Sequence, residues 1–317
     1  MAFRSLSDSG LNSLLQRPEQ ETTWARFGRS PTKFLAQYVY NQRSTPKLST
    51  IQSIYRAPIS VVCVSDTHNT NPSLPDGDIL IHAGDLTQSG TTSELERQID
   101  WLDSQPQRYK IVIAGNHDLC LDPNHPSNDG KEPAWLTVNW KSLIYLENTS
   151  RTLKFGDGRE LKIVGSPYTP KHGDWAFQYP RTYTGIWEDT MAIPHDTDIL
   201  ITHGPPKAHL DLGHLGCPSL RQMLWKMERP PLLHVFGHIH GGYGKEVTHW
   251  DSFQRAYEAI MDDHWKGLNL LVLLYCWILG NLTGWAEAGK RGTVMVNAAA
   301  IGGVRDEKRR EAICVEL

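Results

Sequence analysis

The sequence predicts an α/β sandwich, in which short buried strands alternate with helices and polar residues collect where the strands end. The first observation is a series of short apolar runs, each followed by a cluster of Gly, Asp, His or Asn, which is typical of buried parallel strands with functional loops at their carboxyl ends. The second is an amphipathic segment between two of these runs, as expected of a crossover helix. The predicted strands are residues 59–64, 78–82, 110–114, 161–164, 198–202, 233–236 and 293–296.

The crossover helix is predicted over residues 93–102, with Ser93 as its N-cap and Leu95, Ile99 and Leu102 on one face. Residues 1–57 are rich in Ser, Thr, Gln and Arg and are interrupted by prolines. We expect them to form an N-terminal extension with one short helix near residues 32–40. Residues 58–317 are expected to form the main domain, with a helical insertion at about 245–291.

The composition excludes several classes of protein. Hydrophobic residues make up 39% of the chain and charged residues 21%, which is typical of a soluble globular protein. The net charge of -3 provides no basic surplus for general nucleic-acid binding. The five cysteines include no C-x-x-C pair, which favours free thiols, and the N-terminus lacks the apolar core of a secretory signal. We therefore expect a cytoplasmic or nuclear protein that is not secreted.

Seven side chains that follow the predicted strands are potential metal ligands. A single Asp or Asn after a strand is often only a turn former or helix cap, but the strand pattern places all seven at one sheet edge. Oxygen and imidazole donors without thiolate suit Zn²⁺, Mn²⁺ or Fe. Seven donors are too many for one tetrahedral ion and fit two ions that share a bridging carboxylate. They are Asp66, His68, Asp85, Asn116, His203, His238 and His240.

Five motifs in this chain resemble, in order, those of the calcineurin-like metallophosphoesterases, and the resemblance extends from Ile59 to about Asn297. The motifs are D-x-H, G-D-x-T, G-N-H-D, a lone histidine after a strand, and G-H-x-H. The sequence Gly84-Asp85-Leu86-Thr87 is similar to the corresponding motif in the small metallophosphoesterase-domain-containing branch of this family. The serine/threonine protein phosphatases have the motif G-D-x-V-D-R-G. This chain lacks the second Asp and the Arg of that motif, which argues against phosphoprotein phosphatase activity. The resemblance implies a two-sheet β-sandwich flanked by helices.

The resemblance also implies roles for individual residues. One divalent ion would be held by Asp66, His68, Asp85 and His240, and the second by Asp85, Asn116, His203 and His238. Asp85 would bridge the two ions, whose identity (Mn, Fe or Zn) stays open. A hydroxide held between the ions would attack phosphorus in line, in a small-molecule or nucleotide-like phosphomonoester or phosphodiester. His117 would contact the phosphoryl group or protonate the leaving oxygen, and Asp118 would orient the His117 ring.

Other polar residues are expected near the substrate or on the surface. The loop that carries His172 should overhang the metals, so His172 is expected to contact substrate together with Asn116 and His117. His209 and His214, in the loop after His203, are further candidates for substrate contact. The short basic run 308–310 is expected to be a solvated turn. A non-catalytic interaction protein on the same fold is the alternative, although such proteins usually lose metal ligands and this chain has the full set.

The insertion has two parts. The first is predicted to be an amphipathic surface helix with Phe253 and Tyr257 on its apolar side and Gln254 and Glu258 on its polar side. The second, residues 268–279, is nearly all apolar and shorter than the roughly 20 residues of a transmembrane helix. Three interpretations stay open for it: a helix buried against the domain, a homodimer contact, or an interfacial membrane anchor. We expect the first helix to cover the second, and the protein to be soluble without detergent, with no transmembrane segment and no binding to liposomes.

Overall fold

Two β-sheets pack face to face in the computed structural model of this chain, which describes residues 22–43, 57–125, 128, 134–189, 191–283, 285, 292–303 and 307–317. Residues 1–21 and 44–56 of the predicted N-terminal extension lie outside the described residues. The helix expected near residues 32–40 is confirmed as Pro31–Asn41. The predicted division of the chain at residue 57 stays a prediction.

The helices and strands are numbered in chain order. The helices are α1 (Thr23–Arg29), α2 (Pro31–Asn41), α3 (Thr92–Asp103), α4 (Ala134–Thr137), α5 (Ile186–Asp189), α6 (Pro218–Lys226), α7 (Ser252–Met261) and α8 (Lys266–Thr283). The strands are β1 (Ser60–Val64), β2 (Ile79–Ala83), β3 (Tyr109–Ile113), β4 (Leu143–Tyr145), β5 (Thr149–Lys154), β6 (Glu160–Ser166), β7 (Thr169–Pro170), β8 (Gln178–Tyr179), β9 (Ile199–Thr202), β10 (Leu233–Phe236), β11 (Gly244–Thr248), β12 (Thr293–Asn297), β13 (Ile301–Gly302), β14 (Lys308–Arg309) and β15 (Ile313–Glu316).

The two main sheets confirm the predicted α/β sandwich. In the first sheet, of order β15-β1-β2-β3-β4, the strands β1 to β4 are parallel and β15 is antiparallel to β1. In the second, of order β11-β12-β10-β9-β6-β5, the four central strands are parallel and the two outer ones antiparallel. All seven predicted strands form, as β1, β2, β3, β6, β9, β10 and β12.

The core lies between the sheets because alternate side chains of each strand point to opposite faces. Ile79 and Ile81 of β2 pack in one apolar cluster with Ile199 and Ile201 of β9. Leu80, between them in sequence, points to the other face and packs in a cluster with residues of α3. The parallel strands are therefore buried on both faces, which explains why their sequences are continuous apolar runs.

The crossover helix α3 forms as predicted, but its N-cap is Thr91 rather than Ser93. Thr91, in extended backbone, accepts a hydrogen bond at its side chain from the Glu94 amide, and the Glu94 carboxylate accepts one from the Thr91 amide at 3.1 Å. This reciprocal capping box satisfies two amides that a helix start leaves free. Ser93 instead lies inside the first turn, so its prediction as the N-cap was wrong.

The insertion is not helical from its first residue. Residues 244–248 form strand β11, which pairs with β12 at the edge of the second sheet. The first predicted helix is α7, and its apolar side packs against α2 of the N-terminal segment. The Tyr40 ring stacks on Tyr257 at a centroid distance of 4.0 Å and on Phe253 at 5.8 Å. The N-terminal segment and the insertion therefore share one small apolar cluster.

Two residues of the predicted polar side of α7 are buried, contrary to the prediction, whereas Arg255 on the same side is exposed as predicted. Gln254 and Glu258 are 0% and 5% exposed because they form a network with His209. The His209 ring lies 2.7 Å from a carboxylate oxygen of Glu246 and 3.0 Å from one of Glu258. Burial by itself would lower the pKa of His209, but the two carboxylates outweigh it and raise the pKa to about 10. His209 is thus a buried ion that ties α7 to the domain, and it is not available for the substrate contact for which it was a candidate.

We expect the stability of the fold to decrease as the pH rises toward 10. The folded-state pKa of His209 lies above its ordinary value of 6.5, so the stabilisation is complete below about pH 6.5 and is lost as the pH rises to about 10. His209→Gln should lower stability at pH 7 by about 3–5 kcal/mol, because it removes the cation that pairs with the half-buried Glu246 and leaves the buried Glu258 with Arg221 alone. Urea midpoints between pH 6 and pH 10 measure both effects. The exposed His195 supplies the control His195→Gln, and a wild-type midpoint that is flat from pH 7 to pH 10 contradicts this account.

Helix α8 differs most from its prediction. It extends over 18 residues, and among these only Leu273 and Gly280 are buried. Leu271 and Leu282 are 67% and 77% exposed. The interpretation that this segment is buried against the domain, under the cover of α7, is therefore correct for one side of the helix and wrong for the other, which is exposed. By length and composition α8 is also apolar enough to cross a membrane, with a mean hydropathy of 1.3 and 11% of its length buried.

Candidate metal centre

The five polar motifs meet at one edge of the sandwich. Asp66, Asp85 and Asn116 follow β1, β2 and β3 of the first sheet, while His203 and His238 follow β9 and β10 of the second. The carboxyl ends of parallel strands share one edge of a sheet, and here the edges of the two sheets face each other. The structure thereby brings together side chains that are up to 174 residues apart in the chain.

Two glycines allow the loops to approach this closely. A Cβ built at Gly237 would collide with the Asp66 carboxylate, and one at Gly115 would collide with the Asp85 carboxylate. Any other residue at these positions would push the adjacent carboxylate out of the centre. The glycines that precede His238 and Asn116 in the motifs are therefore needed for space.

The first group of predicted ligands contains Asp66, His68 and His240, whose potential ligand atoms all lie within 4.8 Å of one another. His240 Nε2 is 3.1 Å from Asp66 Oδ1. The backbone amide of His238 donates to the Asp66 carboxylate at 3.0 Å, which links the first group to the second. All three side chains are buried or nearly so.

The second group contains Asp85, His203 and His238, again within 4.8 Å of one another. His203 Nε2 is 3.3 Å from Asp85 Oδ2. The amide oxygen of Asn116 lies between the two imidazoles, 3.0 Å from His203 Nε2 and 2.7 Å from His238 Nδ1. Asp85 contacts both groups, since its Oδ2 is also 3.7 Å from His68 Nε2. The structure thus brings all seven predicted ligands together.

The donor set fits a bound cation. The Nδ1 of His68 lies 3.2 Å from the Thr87 carbonyl, which can only accept, so Nδ1 carries the proton and Nε2 presents a lone pair. That Nε2 is buried, has no hydrogen-bond partner among the described residues, and faces a carboxylate oxygen. His203 Nδ1 faces the Ala83 carbonyl at 2.9 Å in the same way. Buried acceptors that face one another are unfavourable unless a cation or proton lies between them.

The electrostatics of the centre agree with this interpretation. Burial alone would raise the pKa values of Asp66 and Asp85, but neighbouring histidines hold both pKa values well below their ordinary range. Burial also acts to lower the pKa of His203, but Asp85 and Asp66 outweigh it and raise the pKa to about 9, so without metal this ring takes up a proton. Burial, with His203 nearby, lowers the pKa of His238 to about 3 and keeps that ring neutral. The centre thus offers the ionised carboxylates of Asp66 and Asp85 and the neutral imidazole of His238 to a cation.

Four of the predicted ligands have strained backbones. Asp66, His68, Asp85 and His238 have φ values of 52°, 44°, 55° and 64°, in the left-handed region that L-residues rarely adopt. Such conformations cost about 1–3 kcal/mol each and persist where the surrounding structure enforces them, often at functional sites. In these backbone conformations the four side chains converge on the metal centre.

His117 lies at the rim of the centre. Its ring Nδ1 is 3.0 Å from the Gln88 carbonyl and therefore carries a proton, which leaves Nε2 as the reactive nitrogen. The Trp175 indole stacks on this ring at a centroid distance of 4.2 Å and is 39% exposed. His117 also belongs to a third potential ligand group with His68 and Asp85, which the sequence analysis did not foresee.

Asp118 does not orient His117, contrary to the expectation. Its carboxylate is buried and accepts hydrogen bonds from the amides of Leu86, Thr87 and Gly115, at 3.2, 2.9 and 2.8 Å. It therefore fixes the backbone directly after Asp85 and directly before Asn116. The Gln88 carbonyl takes the position next to His117 that was predicted for Asp118.

The structure places His172 at the protein surface and gives Arg310 a role that differs from its prediction. His172 is exposed, and among the described contacts its backbone carbonyl accepts from Gln178, while none joins its ring to the metal centre. Its predicted contact with substrate thus stays a prediction. Arg310 was expected in a solvated turn, but its guanidinium donates to the backbone carbonyls of His240 and Ala299. It therefore supports the loop that carries a predicted ligand, a role with no signal in the sequence.

A family model described as calcineurin-like phosphoesterase matches residues 59–242, which is more than half of the chain and includes all seven predicted ligands. The human metallophosphoesterase domain-containing protein 1 is 40% identical over 205 residues, covering 58% of this chain and 61% of that protein. The Caenorhabditis elegans UPF0046 protein K07C11.7 is 37% identical over 199 residues, covering 59% of this chain and 65% of that protein.

A relative from Emericella nidulans named probable rhamnogalacturonate lyase C is 66% identical over 308 residues. The match covers 97% of this chain but 29% of that protein. The chain therefore spans less than a third of this relative and about three fifths of the human one. The lyase name refers to a protein whose greater part has no counterpart here.

Proposed function

This chain belongs to the calcineurin-like phosphoesterase family, and from that premise we propose that it hydrolyses phosphate esters with two divalent metal ions. The observation that carries the proposal is the convergence of seven potential ligands whose buried acceptor atoms face one another. The proposed substrates are small-molecule or nucleotide-like esters. The proposed location is the cytoplasm or nucleus.

The residues divide between two ion positions. Asp66, His68 and His240 would hold one ion, and Asn116, His203 and His238 would hold the other. Asp85 would be shared between the two sets, because its Oδ2 lies 3.7 Å from His68 Nε2 and 3.3 Å from His203 Nε2, while its Oδ1 accepts from the His117 amide. When bound, two divalent cations neutralise charge on phosphoryl oxygens and lower the pKa of water that attacks phosphorus.

The protein itself supplies the remaining groups. His117 directs Nε2 away from the carbonyl that holds Nδ1, so a protonated Nε2 can donate to the oxygen of the departing alcohol. Trp175 covers one face of the imidazole and limits its rotation. The amide of His117 donates to Asp85 Oδ1 at 2.7 Å, which fixes the distance between the proton donor and the proposed bridging carboxylate.

Turnover of a panel of phosphate esters tests the proposal. Metal-free protein is supplied separately with Mn²⁺, Zn²⁺, Mg²⁺ or Fe²⁺ and assayed on aryl and nucleotide monoesters and diesters. We expect hydrolysis that requires a divalent ion, that stops on chelation, and that shows which ester class is preferred. Two bound ions per chain without turnover of any ester would favour a non-catalytic interaction protein on the same fold.

A further inference from the structure

The exposed side of helix α8 is a continuous apolar surface. Its opposite side contacts α2 and α7, and Leu273 and Gly280 are buried there. Residues 267–283 contain no charged side chain. The exposed large side chains, hereafter the α8 face, are Leu268, Leu271, Val272, Tyr275, Ile278, Leu279 and Leu282, each between 38% and 77% exposed.

We propose that the α8 face is a homodimer interface, in which it packs antiparallel against the same face of a second copy. The residues of the face are placed symmetrically in sequence about Tyr275. Antiparallel pairing about a two-fold axis at Tyr275 sets Leu268 against Leu282 of the partner subunit and Leu271 against Leu279 of the partner subunit. A two-fold interface requires such self-complementarity, because each patch must meet its own copy.

The spacing along the face also suits helix packing. Leu268, Leu271, Tyr275, Ile278 and Leu282 follow one another at intervals of three and four residues, which is the spacing of a helix–helix seam. Side chains of this size and exposure present roughly 700 Å², within the roughly 600–1,000 Å² that each partner buries in a specific interface. The surface is therefore large enough for a stable dimer.

The surrounding charges favour a second copy over a lipid surface. Interfacial membrane helices carry a basic polar side that binds anionic lipids. On α8 the side opposite the face is packed against protein instead. The cations at its start, Lys33 and Lys266, both pair with Asp263, at 2.8 and 3.0 Å. Insertion of α8 across a bilayer would also expose the buried contacts of Leu273.

The mass of the full chain in solution tests the proposal. Sedimentation velocity at micromolar concentration should give twice the 35.8 kDa of one chain, and Leu271→Asp/Ile278→Asp should return the mass to 35.8 kDa with an unchanged circular dichroism spectrum. Leu136→Asp is the matched control, because Leu136 is 60% exposed but lies on α4, and it should stay dimeric. A wild-type monomer at these concentrations overturns the proposal.

Oxidative cross-linking tests the geometry even if the double variant fails to fold. In a Cys276→Ser/Cys314→Ser background, Tyr275→Cys should cross-link to itself. Leu268→Cys should cross-link only when mixed with Leu282→Cys. Self-linking of Leu268→Cys would indicate a parallel arrangement and overturn the antiparallel one. Monomers that co-sediment with phosphatidylcholine/phosphatidylserine vesicles, and lose this binding in Leu271→Asp/Ile278→Asp, would show a lipid-binding surface instead.

Discussion

Asp85→Asn is expected to abolish turnover and to lower metal occupancy at both positions of the centre. Asp85 lies between the two ligand groups, with Oδ2 at 3.3 Å from His203 Nε2 and 3.7 Å from His68 Nε2. An asparagine side chain carries no charge, so it cannot neutralise the two divalent ions that Asp85 would share. Metal content per chain after dialysis and the rate on the best ester of the panel measure the two effects.

Two matched variants make this result specific. Asp174→Asn removes a carboxylate that is fully exposed in the neighbouring loop, and it should retain both ions and the wild-type rate. Asp66→Asn should lower occupancy chiefly at one position, because Asp66 contacts His240 and lies in the first ligand group only. Retention of two ions at full affinity in Asp85→Asn would overturn the bridging assignment.

His117→Asn is expected to preserve the metal content and to reduce the rate by roughly 10²–10⁴, the range typical of a lost proton-transfer group. The loss should be smaller for nitrophenyl esters, because a nitrophenolate leaves without needing a proton. The ratio of wild-type to variant rate across leaving groups of increasing pKa is therefore the decisive measurement. If this ratio increases with the pKa of the leaving group, His117 is a proton donor. If it is the same for all leaving groups, His117 binds phosphate.

The exposed His195 provides the control for this series. His195→Asn should leave the rates of all esters unchanged, since that side chain lies on the surface. A loss in His117→Asn that is equal for every leaving group would mean that His117 contacts the phosphoryl group rather than donating a proton. Loss of metal from this variant would instead make His117 a ligand, in keeping with its position beside His68 and Asp85.

The sequence alone was sufficient for the set of potential ligands and for seven of the eleven strands that the structure describes in the two main sheets. A buried parallel strand requires a continuous apolar run, and its loop requires polar or turn-forming residues, so both signals are local and lie in order along the chain. Asp66 and His203 could each be selected because each follows such a run directly. The helix α3 was found for the same reason, since three apolar residues share one of its faces.

Only the tertiary structure determined which distant segments of the chain contact one another. Glu258 has the spacing of a solvent-facing residue, but the loop of His209 approaches it and buries both. Asp118 is next to His117 in sequence, yet its carboxylate binds the amides of Leu86 and Thr87. The apolar run of α8 predicts burial, but α2 and α7 cover only one side of it. An apolar sequence predicts that a surface is more stable when it is shielded from water. Only the arrangement of the neighbouring elements determines what covers that surface.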